Sequence, residues 1–398
     1  MQSSTERTAW FRNSPLGIFI HWGVYSAIGR GEWILNQDRM SLTEYDSHIP
    51  EFTAENTDFD EWANLARNAG ADYMVLTVKH HDGFCLFRTS TTHRNAAEQG
   101  PKRDIVAEYV SACRRAGLRA GIYFSLPDWS VPAFNNGPEA DPEGWRKFIE
   151  LQHEQVRELM TGYGKIDLLW YDRAGNLNDR QVLTAENQDS AGLNAMVRSL
   201  QPDILINDRS ELPEDFYTAE QNLTPPKEPG RAWEGCLTMN RHWGKVPSDK
   251  CFKQPFEILM SMTAAAMNGG HILLNIGPDA SGRVGTEEKK ILAGIGQWLK
   301  VNRESVSGTE RVPVSGGSYG CAAGKGKKYV YLYLHWPDRR GVVVIPRCTE
   351  IFTKAELLGS ARKLTIERSR DRLVISGLPE FIAGELPVVR LERGESGL

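Results

Sequence analysis

Residues 58–79, DFDEWANLARNAGADYMVLTVK, decide how this chain folds. Asp58 can cap a helix, the apolar residues after it recur at helical spacing, and Gly70 is placed to end that helix. Residues 73–78 then form an unbroken apolar run, which is typical of a strand buried on both faces of a parallel sheet. The stretch therefore predicts one helix followed by one parallel strand.

The same helix–strand unit recurs over the first three-quarters of the 398-residue chain. Eight strands are predicted, at residues 17–20, 73–78, 118–124, 166–170, 203–207, 216–218, 232–237 and 271–275. Units of this kind repeated over about 300 residues favour an α/β fold with a closed, TIM-like (β/α)8 barrel over an open doubly wound sheet. No GxGxxG motif follows the first strand, which argues against a dinucleotide-binding fold.

The pattern changes after residue 307, where short apolar runs separated by turns replace the helix–strand units. These runs lie at residues 329–334, 341–345, 363–366, 373–375 and 387–391. They predict a small antiparallel β-sandwich at residues 308–398, behind a catalytic barrel at residues 1–307. We expect the sandwich to pack against the barrel rather than to bind sugar.

Composition limits the partners and the location. A formal net charge of −4 gives no electrostatic reason to expect nucleic acid or an anionic membrane. No stretch of about 18 apolar residues is present, and residues 1–11 lack the apolar core of a secretory signal. We therefore expect a cytoplasmic protein, unless a leader has been removed. The number of assembled chains is not predicted.

Polar clusters stand at the ends of five predicted strands, which is where barrel enzymes place their active sites. The clusters are His21-Trp22-Gly23, Lys79-His80-His81-Asp82-Gly83-Phe84, Trp170-Tyr171-Asp172-Arg173, Asn207-Asp208-Arg209 and Thr218-Ala219-Glu220-Gln221. Each cluster alone has an ordinary structural explanation, such as a helix cap. Five together are hard to explain by stability alone.

Asp172 and Glu220 are the candidate catalytic pair. A retaining glycosidase needs a carboxylate nucleophile and a carboxyl acid/base about 5–5.5 Å apart, and strands four and six can bring their ends to one reacting carbon. Arg173 and Arg209 would keep Asp172 ionised. The aromatic residues that precede Glu220, at positions 216 and 217, would raise its pKa by removing water.

Three histidines, His21, His80 and His81, with Glu32 and Trp33, would supply hydrogen bonds for sugar hydroxyls. The same histidines with Asp82 and Asp172 leave a metal-dependent barrel hydrolase open, although no HxH or HExxH motif supports it. A non-catalytic sugar-binding protein is the second alternative. We expect neither a metal nor a cofactor.

Several motifs resemble, in order and spacing, the α-L-fucosidases of glycoside hydrolase family 29. They are His21-Trp22-Gly23, Glu32-Trp33, the six-residue cluster at 79–84, Trp170-Tyr171-Asp172 and Asn275-Ile276-Gly277-Pro278. The similarity covers residues 9–308 and extends more loosely into the sandwich. It implies a retaining, exo-acting enzyme that removes terminal α-linked fucose from oligosaccharides or glycoconjugates, with α-1,3/1,4 linkages as one possibility.

The resemblance also implies residue roles. Asp172 matches the nucleophile, and Glu220 resembles the acid/base, with Glu234 as its rival. Further contacts to the fucose unit are implied for His21, Glu32, Trp33, His80, His81, Trp170 and Arg209.

Overall fold

The computed structural model describes residues 4–314, 316–382 and 384–394. Eight parallel strands form one sheet in the order β5-β4-β3-β2-β1-β8-β7-β6. They are β1 (Leu16–Ile20), β2 (Tyr73–Lys79), β3 (Arg119–Ser125), β4 (Leu168–Asp172), β5 (Leu205–Ile206), β6 (Phe216–Glu220), β7 (Ala232–Thr238) and β8 (His271–Ile276). Each coincides with one predicted strand, so the barrel prediction is confirmed.

Helices surround this sheet, and two short helices precede its first strand. They are α1 (Ser4–Arg7), α2 (Ala9–Asn13), α3 (Tyr25–Ile28), α4 (Ile34–Gln37), α5 (Leu42–Asp46), α6 (Phe59–Asn68), α7 (Ile105–Arg115), α8 (Pro132–Asn136), α9 (Pro142–Gly162), α10 (Ser190–Leu200), α11 (Pro255–Ala266) and α12 (Thr286–Val306). Short 3₁₀ turns lie at Ile49–Glu51 and Asp208–Ser210.

Two connections of the barrel differ from a regular (β/α)8 pattern. Within residues 4–314, β5 is followed only by the 3₁₀ turn Asp208–Ser210, and β6 is followed by a loop without helix at residues 221–231. That loop carries Pro225, Pro226 and Pro229, which remove helical hydrogen-bond donors. The outer layer of helices is therefore interrupted beside β6.

The stretch that decided the fold forms as its residues dictate. The Asp58 carboxylate accepts from the backbone N–H groups of Asp60 at 2.9 Å and Glu61 at 3.0 Å, which caps α6. Gly70 has a φ of +85°, so the chain leaves the helix through a conformation that favours glycine. All seven residues of β2 are buried.

The lower part of the barrel interior is filled by side chains. Phe11 of α2 enters from the N-terminal end, where its ring centroid lies 4.5 Å from that of Phe216 and 4.4 Å from that of His271. The remaining interior residues form one buried cluster: Phe19, Tyr73, Val75, Tyr123, Leu168, Trp170, Leu205, Ala232, Cys236 and Leu273. Because this end is plugged, access to the barrel is from the C-terminal ends of the strands.

The barrel closes between β5 and β6 without a regular ladder. Within residues 4–314, these two strands share a single bridge between Asn207 and Phe216. The Asp215 carboxylate supplements it, since it accepts from the backbone N–H of Ile206 at 2.9 Å. Asp215 also pairs with Arg7 at 2.8 Å and with Arg198. We call this group, Arg7, Arg198, Ile206 and Asp215, the seam cluster.

The C-terminal part is an antiparallel sandwich, as predicted. Its strands are β9 (Gly320–Lys325), β10 (Tyr329–Leu334), β11 (Val342–Ile345), β12 (Phe352–Leu357), β13 (Thr365–Ser369), β14 (Arg372–Ser376) and β15 (Val388–Arg393). They form a four-stranded sheet, β12-β15-β10-β9, and a three-stranded sheet, β11-β14-β13. Sequence analysis missed β9 and β12, the two edges of the larger sheet.

The sandwich packs on the last two barrel helices. The indole N–H of Trp298 on α12 donates to the carbonyl of Leu386 at 2.6 Å, and Thr263 on α11 is hydrogen-bonded to His335 at 2.9 Å. This agrees with the packing role expected from the sequence. In the described ranges, no helix combines the length and the apolar character needed to cross a lipid bilayer.

Candidate active site

Side chains from five strand ends meet at the open end of the barrel. The ring centroids of His21 and His80 lie 5.7 Å apart, and those of His80 and His81 lie 4.2 Å apart. Nε2 of His81 is 3.5 Å from Oδ2 of Asp172, the last residue of β4. The polar clusters predicted from separate parts of the sequence therefore form one site.

Asp172 is a largely buried carboxylate at the end of β4, with 16% of its side chain exposed. Oδ2 accepts from the Tyr123 hydroxyl at 2.7 Å, and Oδ1 lies 3.4 Å from Nη1 of Arg209. Burial raises the pKa of Asp172 above its ordinary value, although Arg209 and Tyr123 act in the opposite direction.

The two arginines predicted to keep Asp172 ionised differ in their contact with it. Burial has the largest effect on the pKa of Asp172, and Arg209 and Arg173 both lower it. The guanidinium of Arg173 nevertheless binds elsewhere. It pairs with Glu211 and donates to the carbonyl of Leu183 at 2.8 Å. Arg209 is thus the arginine that contacts the candidate nucleophile.

Glu220 ends β6 and lies across the site from Asp172. Its side chain is 42% exposed, and Oε2 lies 2.9 Å from Nη2 of Arg209. The expected removal of water by Phe216 and Tyr217 is wrong, because Phe216 fills the barrel interior below and Tyr217 packs under Arg231 on the outside. Glu220 is therefore a partly solvated carboxylate held by an arginine.

One guanidinium joins the two carboxylates. Arg209 reaches Asp172 with Nη1 and Glu220 with Nη2, while its Nε donates to the Thr218 hydroxyl at 3.0 Å. Burial lowers the pKa of Arg209, but the two carboxylates raise it more, so its charge is secure. The forked geometry of arginine suits this bridging position.

The three histidines are neutral. Burial lowers the pKa of His21 and of His81 to about 3 and lowers the pKa of His80 well below its usual range. Nδ1 of His21 is hydrogen-bonded to Asn275 at 2.7 Å, and Nδ1 of His81 to Ser125 at 2.6 Å. The rings of His21 and His81 are thus each held through one nitrogen, and neutral imidazole can both donate and accept.

Glu32 and Trp33 lie at the edge of this site. The buried Glu32 carboxylate accepts from the backbone N–H of Gly244 at 2.8 Å, which ties the loop after β7 to the site. Burial raises the pKa of Glu32. The half-buried Trp33 ring packs edge-on against His81, with ring centroids 5.4 Å apart, and against Trp129 at 5.1 Å.

Trp170 and Glu234 lie beneath the mouth. Trp170 is 2% exposed, and its indole N–H donates to Oε1 of Glu234 at 2.8 Å. Glu234 is fully buried on β7 and also accepts from the Tyr73 hydroxyl. The rival carboxyl is therefore below the indole, inside the barrel.

Sequence reasoning missed two residues that shape the site. Tyr123 lies two positions before Ser125 on β3, so strand alternation puts both inside the barrel and could have identified it. Trp243 comes from the loop after β7, and its ring centroid lies 5.0 Å from that of His21. No periodicity marks a loop residue, so the sequence carried no signal for Trp243.

A protein metal site needs several ligating side chains that converge at one point. In the described part of the chain, no three His, Cys, Asp or Glu side chains converge as a metal site. Asp82, one of the candidate ligands, instead accepts from the Tyr45 hydroxyl at 2.6 Å.

Two carboxylates joined by one guanidinium, among neutral imidazoles at the mouth of a parallel barrel, are the groups that a glycoside hydrolase requires. A family model described as alpha-L-fucosidase matches residues 1–304. The chain therefore belongs to the α-L-fucosidase family.

Individual relatives agree with this assignment along the whole chain. Human plasma alpha-L-fucosidase is 28% identical over 415 residues, which cover 95% of this chain and 87% of the relative. Among solved structures, alpha-L-fucosidase isoenzyme 1 from Paenibacillus thiaminolyticus is 29% identical and superposes with a TM-score of 0.90. The match covers 99% of this chain and 100% of the Paenibacillus chain.

A third relative bears on the mechanism. The family 29 alpha-L-fucosidase from Bacteroides thetaiotaomicron is 26% identical, with a TM-score of 0.88, and covers 99% of this chain and 97% of its own. Its structure contains a trapped covalent intermediate formed with 2-fluoro-fucosyl fluoride in a glutamate-to-glutamine mutant. A covalent glycosyl-enzyme belongs to the retaining reaction, so this chain is a retaining α-L-fucosidase.

Proposed function

We propose that Asp172 is the nucleophile and Glu220 the acid/base of this α-L-fucosidase. The observation that carries the proposal is the position of Arg209, whose guanidinium touches Asp172 at 3.4 Å and Glu220 at 2.9 Å. A single guanidinium spans only a few ångströms, so the two carboxylates lie at one place in the mouth of the barrel, as a catalytic pair must. Glu234 is separated from that space by the indole of Trp170.

Two displacements follow from this geometry. Asp172 attacks the anomeric carbon while Glu220 gives a proton to the departing glycosidic oxygen, which yields a covalent fucosyl-Asp172 ester. Glu220, now a carboxylate, removes a proton from water, which attacks the same carbon and releases Asp172. The two inversions return fucose with its original anomeric configuration.

The trapped intermediate in the Bacteroides relative supports the division of roles. Replacing a glutamate by glutamine in that enzyme accompanied accumulation of the ester. Loss of the acid/base has this result when the leaving group is fluoride, because fluoride departs without a proton while water attack still needs a base. A glutamate on β6 of this chain fits that role.

Terminal fucose of an oligosaccharide or glycoconjugate is the substrate we propose. His21, His80 and His81 would bind its hydroxyls; within the described residues the buried Nδ1 of His80 has no hydrogen-bond partner. We propose an exo-acting enzyme, as membership of the α-L-fucosidase family implies. For the linkage we propose α-1,3 and α-1,4 bonds to branched acceptors.

The test compares Asp172→Asn and Glu220→Gln with the exposed control Glu228→Gln, a carboxylate in the loop after β6. Asp172→Asn should lose turnover of every fucoside by several orders of magnitude. Glu220→Gln should lose turnover of natural trisaccharides, form the ester readily from an activated aryl fucoside, and regain turnover with azide as an α-fucosyl azide.

The control should match the wild-type enzyme on both substrates. Natural turnover that survives in Glu220→Gln would contradict the acid/base assignment, and a β-fucosyl azide product would contradict the retaining order of the two steps. Comparison of α-1,2-, α-1,3- and α-1,4-fucosylated trisaccharides decides the linkage.

A further inference from the structure

Glu234 is a buried carboxyl that the two displacements do not use. It lies inside the barrel on β7, with no exposed surface. Three neighbours reach it from three other strands: Trp170 of β4 at 2.8 Å, Tyr73 of β2, and His271 of β8, whose Nε2 lies 3.7 Å from Oε2. Four strands of the barrel thus meet at one side chain directly below the site.

Above Glu234 the aromatic side chains form a stack. The ring planes of His80 and Tyr123 lie within 10° of parallel at a centroid distance of 5.6 Å. Those of Tyr123 and Trp170 lie within 19° at 5.5 Å. The guanidinium carbon of Arg209 lies 5.3 Å from the Trp170 ring, as in a cation–π contact. His80, Tyr123, Trp170 and Arg209 are called the stack below.

The stack carries the groups that hold the candidate catalytic pair. Tyr123 donates to Oδ2 of Asp172 at 2.7 Å. Arg209 contacts Oδ1 of Asp172 at 3.4 Å and Oε2 of Glu220 at 2.9 Å. Displacement of the Trp170 ring would therefore move both supports of Asp172 and the support of Glu220 together.

Trp170 depends on an acceptor in the core. An indole N–H can only donate, and its buried donor finds Oε1 of Glu234. Without that acceptor the ring would have to tilt toward another polar atom or bear an unsatisfied donor. Apolar packing alone would not fix the orientation of the indole within the plane of the ring.

We infer that Glu234 is a positioning residue for the reaction: it fixes the Trp170 indole, and through the stack it sets the placement of Asp172 and Glu220. The inference rests on the roles proposed for those two carboxylates. It goes beyond them by giving the rival carboxyl a function that requires no contact with the sugar.

The support below Glu234 works in either protonation state. The Tyr73 hydroxyl also lies 2.9 Å from Nε2 of His271. When Glu234 is ionised, Tyr73 donates to it and can accept from His271; when Glu234 is protonated, the direction of both bonds reverses. Oε1 accepts from Trp170 in both cases. What the site needs from position 234 is therefore an acceptor, not a charge.

This distinction defines the experiment. Glu234→Gln keeps an oxygen for Trp170, and Tyr73 can accept from the new amide, so kcat for an activated aryl fucoside should stay within roughly threefold of wild type. Glu234→Leu removes the acceptor, and kcat should fall by roughly 10- to 100-fold, the effect of a small misplacement of catalytic groups. KM should change less than kcat, because His21 and His81 are held by Asn275 and Ser125 rather than by the stack.

A double-mutant cycle separates positioning from general damage to the core. Trp170→Phe keeps a ring in the stack but removes the N–H that needs Glu234. If Glu234 acts through Trp170, the losses in kcat of Glu234→Leu and Trp170→Phe will be non-additive, and the double variant will be no slower than the slower single variant. Val75→Ala is the matched control, since Val75 belongs to the same interior cluster but is not one of the four stack residues.

The outcomes are distinct. Wild-type kcat in Glu234→Leu, or losses that multiply in the double variant, would overturn the inference while leaving Glu220 as the acid/base. A large loss in Glu234→Gln that azide restores, together with an active Glu220→Gln, would overturn both assignments, because Glu234 would then be the acid/base. A loss of kcat in Val75→Ala equal to that in Glu234→Leu would also contradict the inference.

Discussion

Tyr123 controls one oxygen of the proposed nucleophile through its 2.7 Å hydrogen bond to Asp172. That bond lowers the pKa of Asp172 against the raising effect of burial. Tyr123→Phe should therefore raise this pKa. Since the ionised carboxylate is the reactive form, the acidic limb of kcat/KM should move to higher pH.

The same change should lower kcat/KM at neutral pH by roughly 10- to 150-fold, because hydrogen bonds to charged groups contribute about 1.5–3 kcal/mol. Tyr109→Phe is the control, since Tyr109 is a buried tyrosine that donates to the backbone of Gly121 outside the barrel. Its pH profile should match that of wild type. An unshifted acidic limb in Tyr123→Phe would contradict the role of this hydroxyl.

The buried Glu234 should also affect how the free energy of unfolding depends on pH. Burial raises its pKa from an ordinary 4.5 to about 7. Between these values the folded protein holds a proton that the unfolded chain has released, so this residue makes the free energy of unfolding fall as pH rises. Glu234→Gln lacks that decline. The free energy of unfolding of Glu234→Gln should therefore rise relative to that of wild type by roughly 3 kcal/mol from about pH 4.5 to about pH 8.

Urea unfolding of both proteins across this pH range measures the difference. The exposed Glu228→Gln variant should show no pH-dependent difference from wild type. A constant gap between Glu234→Gln and wild type would mean that the buried carboxyl does not titrate in this range.

At the scale of elements, the seam between β5 and β6 is held by side chains. Asp215 serves two arginines and one backbone N–H of the seam cluster while being 1% exposed. Asp215→Asn removes the carboxylate charge shared by Arg7 and Arg198, although Arg198 keeps Glu214 at 3.2 Å. The free energy of unfolding should fall by about 3 kcal/mol, because removal of one partner of a buried ion pair is strongly destabilising. Urea unfolding checks this value.

Glu150→Gln provides the comparison, because the Arg146–Glu150 pair on α9 is exposed on both sides. Its effect should stay below about 0.5 kcal/mol. Equal effects of the two substitutions would show that the seam does not depend on Asp215.

Strands buried on both faces could be predicted from the sequence, because a continuous apolar run is typical of such strands. Most barrel strands belong to this class, with β6 more exposed at Tyr217 and Glu220. Sequence analysis missed β9 and β12 because an edge strand needs only part of the apolar pattern. Asp172 and Glu220 could be placed at the site because strand ends of a barrel converge. Their environments could not, since the turning away of Arg173 and the exposure of Glu220 depend on contacts between distant segments.

At the scale of the whole molecule, the barrel and the sandwich share a surface through α11 and α12. The half-buried Trp298 contributes packing and a 2.6 Å hydrogen bond to Leu386. Trp298→Ala should destabilise the protein by about 2 kcal/mol, less than the loss for a fully buried tryptophan. Activity at room temperature should be unchanged, because Trp298 contacts the sandwich and none of the residues proposed for the site.

Calorimetry is the measurement. The wild-type chain should unfold in one transition, and Trp298→Ala should lower its midpoint or divide it into two. An unchanged midpoint would mean that this contact does not couple the two parts.

The two connections without helices have a consequence for the history of the fold. A connection that contains a helix cannot change length without repacking that helix, whereas a bare loop gains or loses residues at a small entropic cost. The strand that ends in Glu220 lies between two bare connections, while the strand of Asp172 is paired on both sides and followed by α10. If the proposed roles hold, proteins that share this barrel should vary more in the chain position of the proton donor than in that of the nucleophile. Alignment should find the nucleophile of a distant member readily, and its proton donor only after the strands have been superposed.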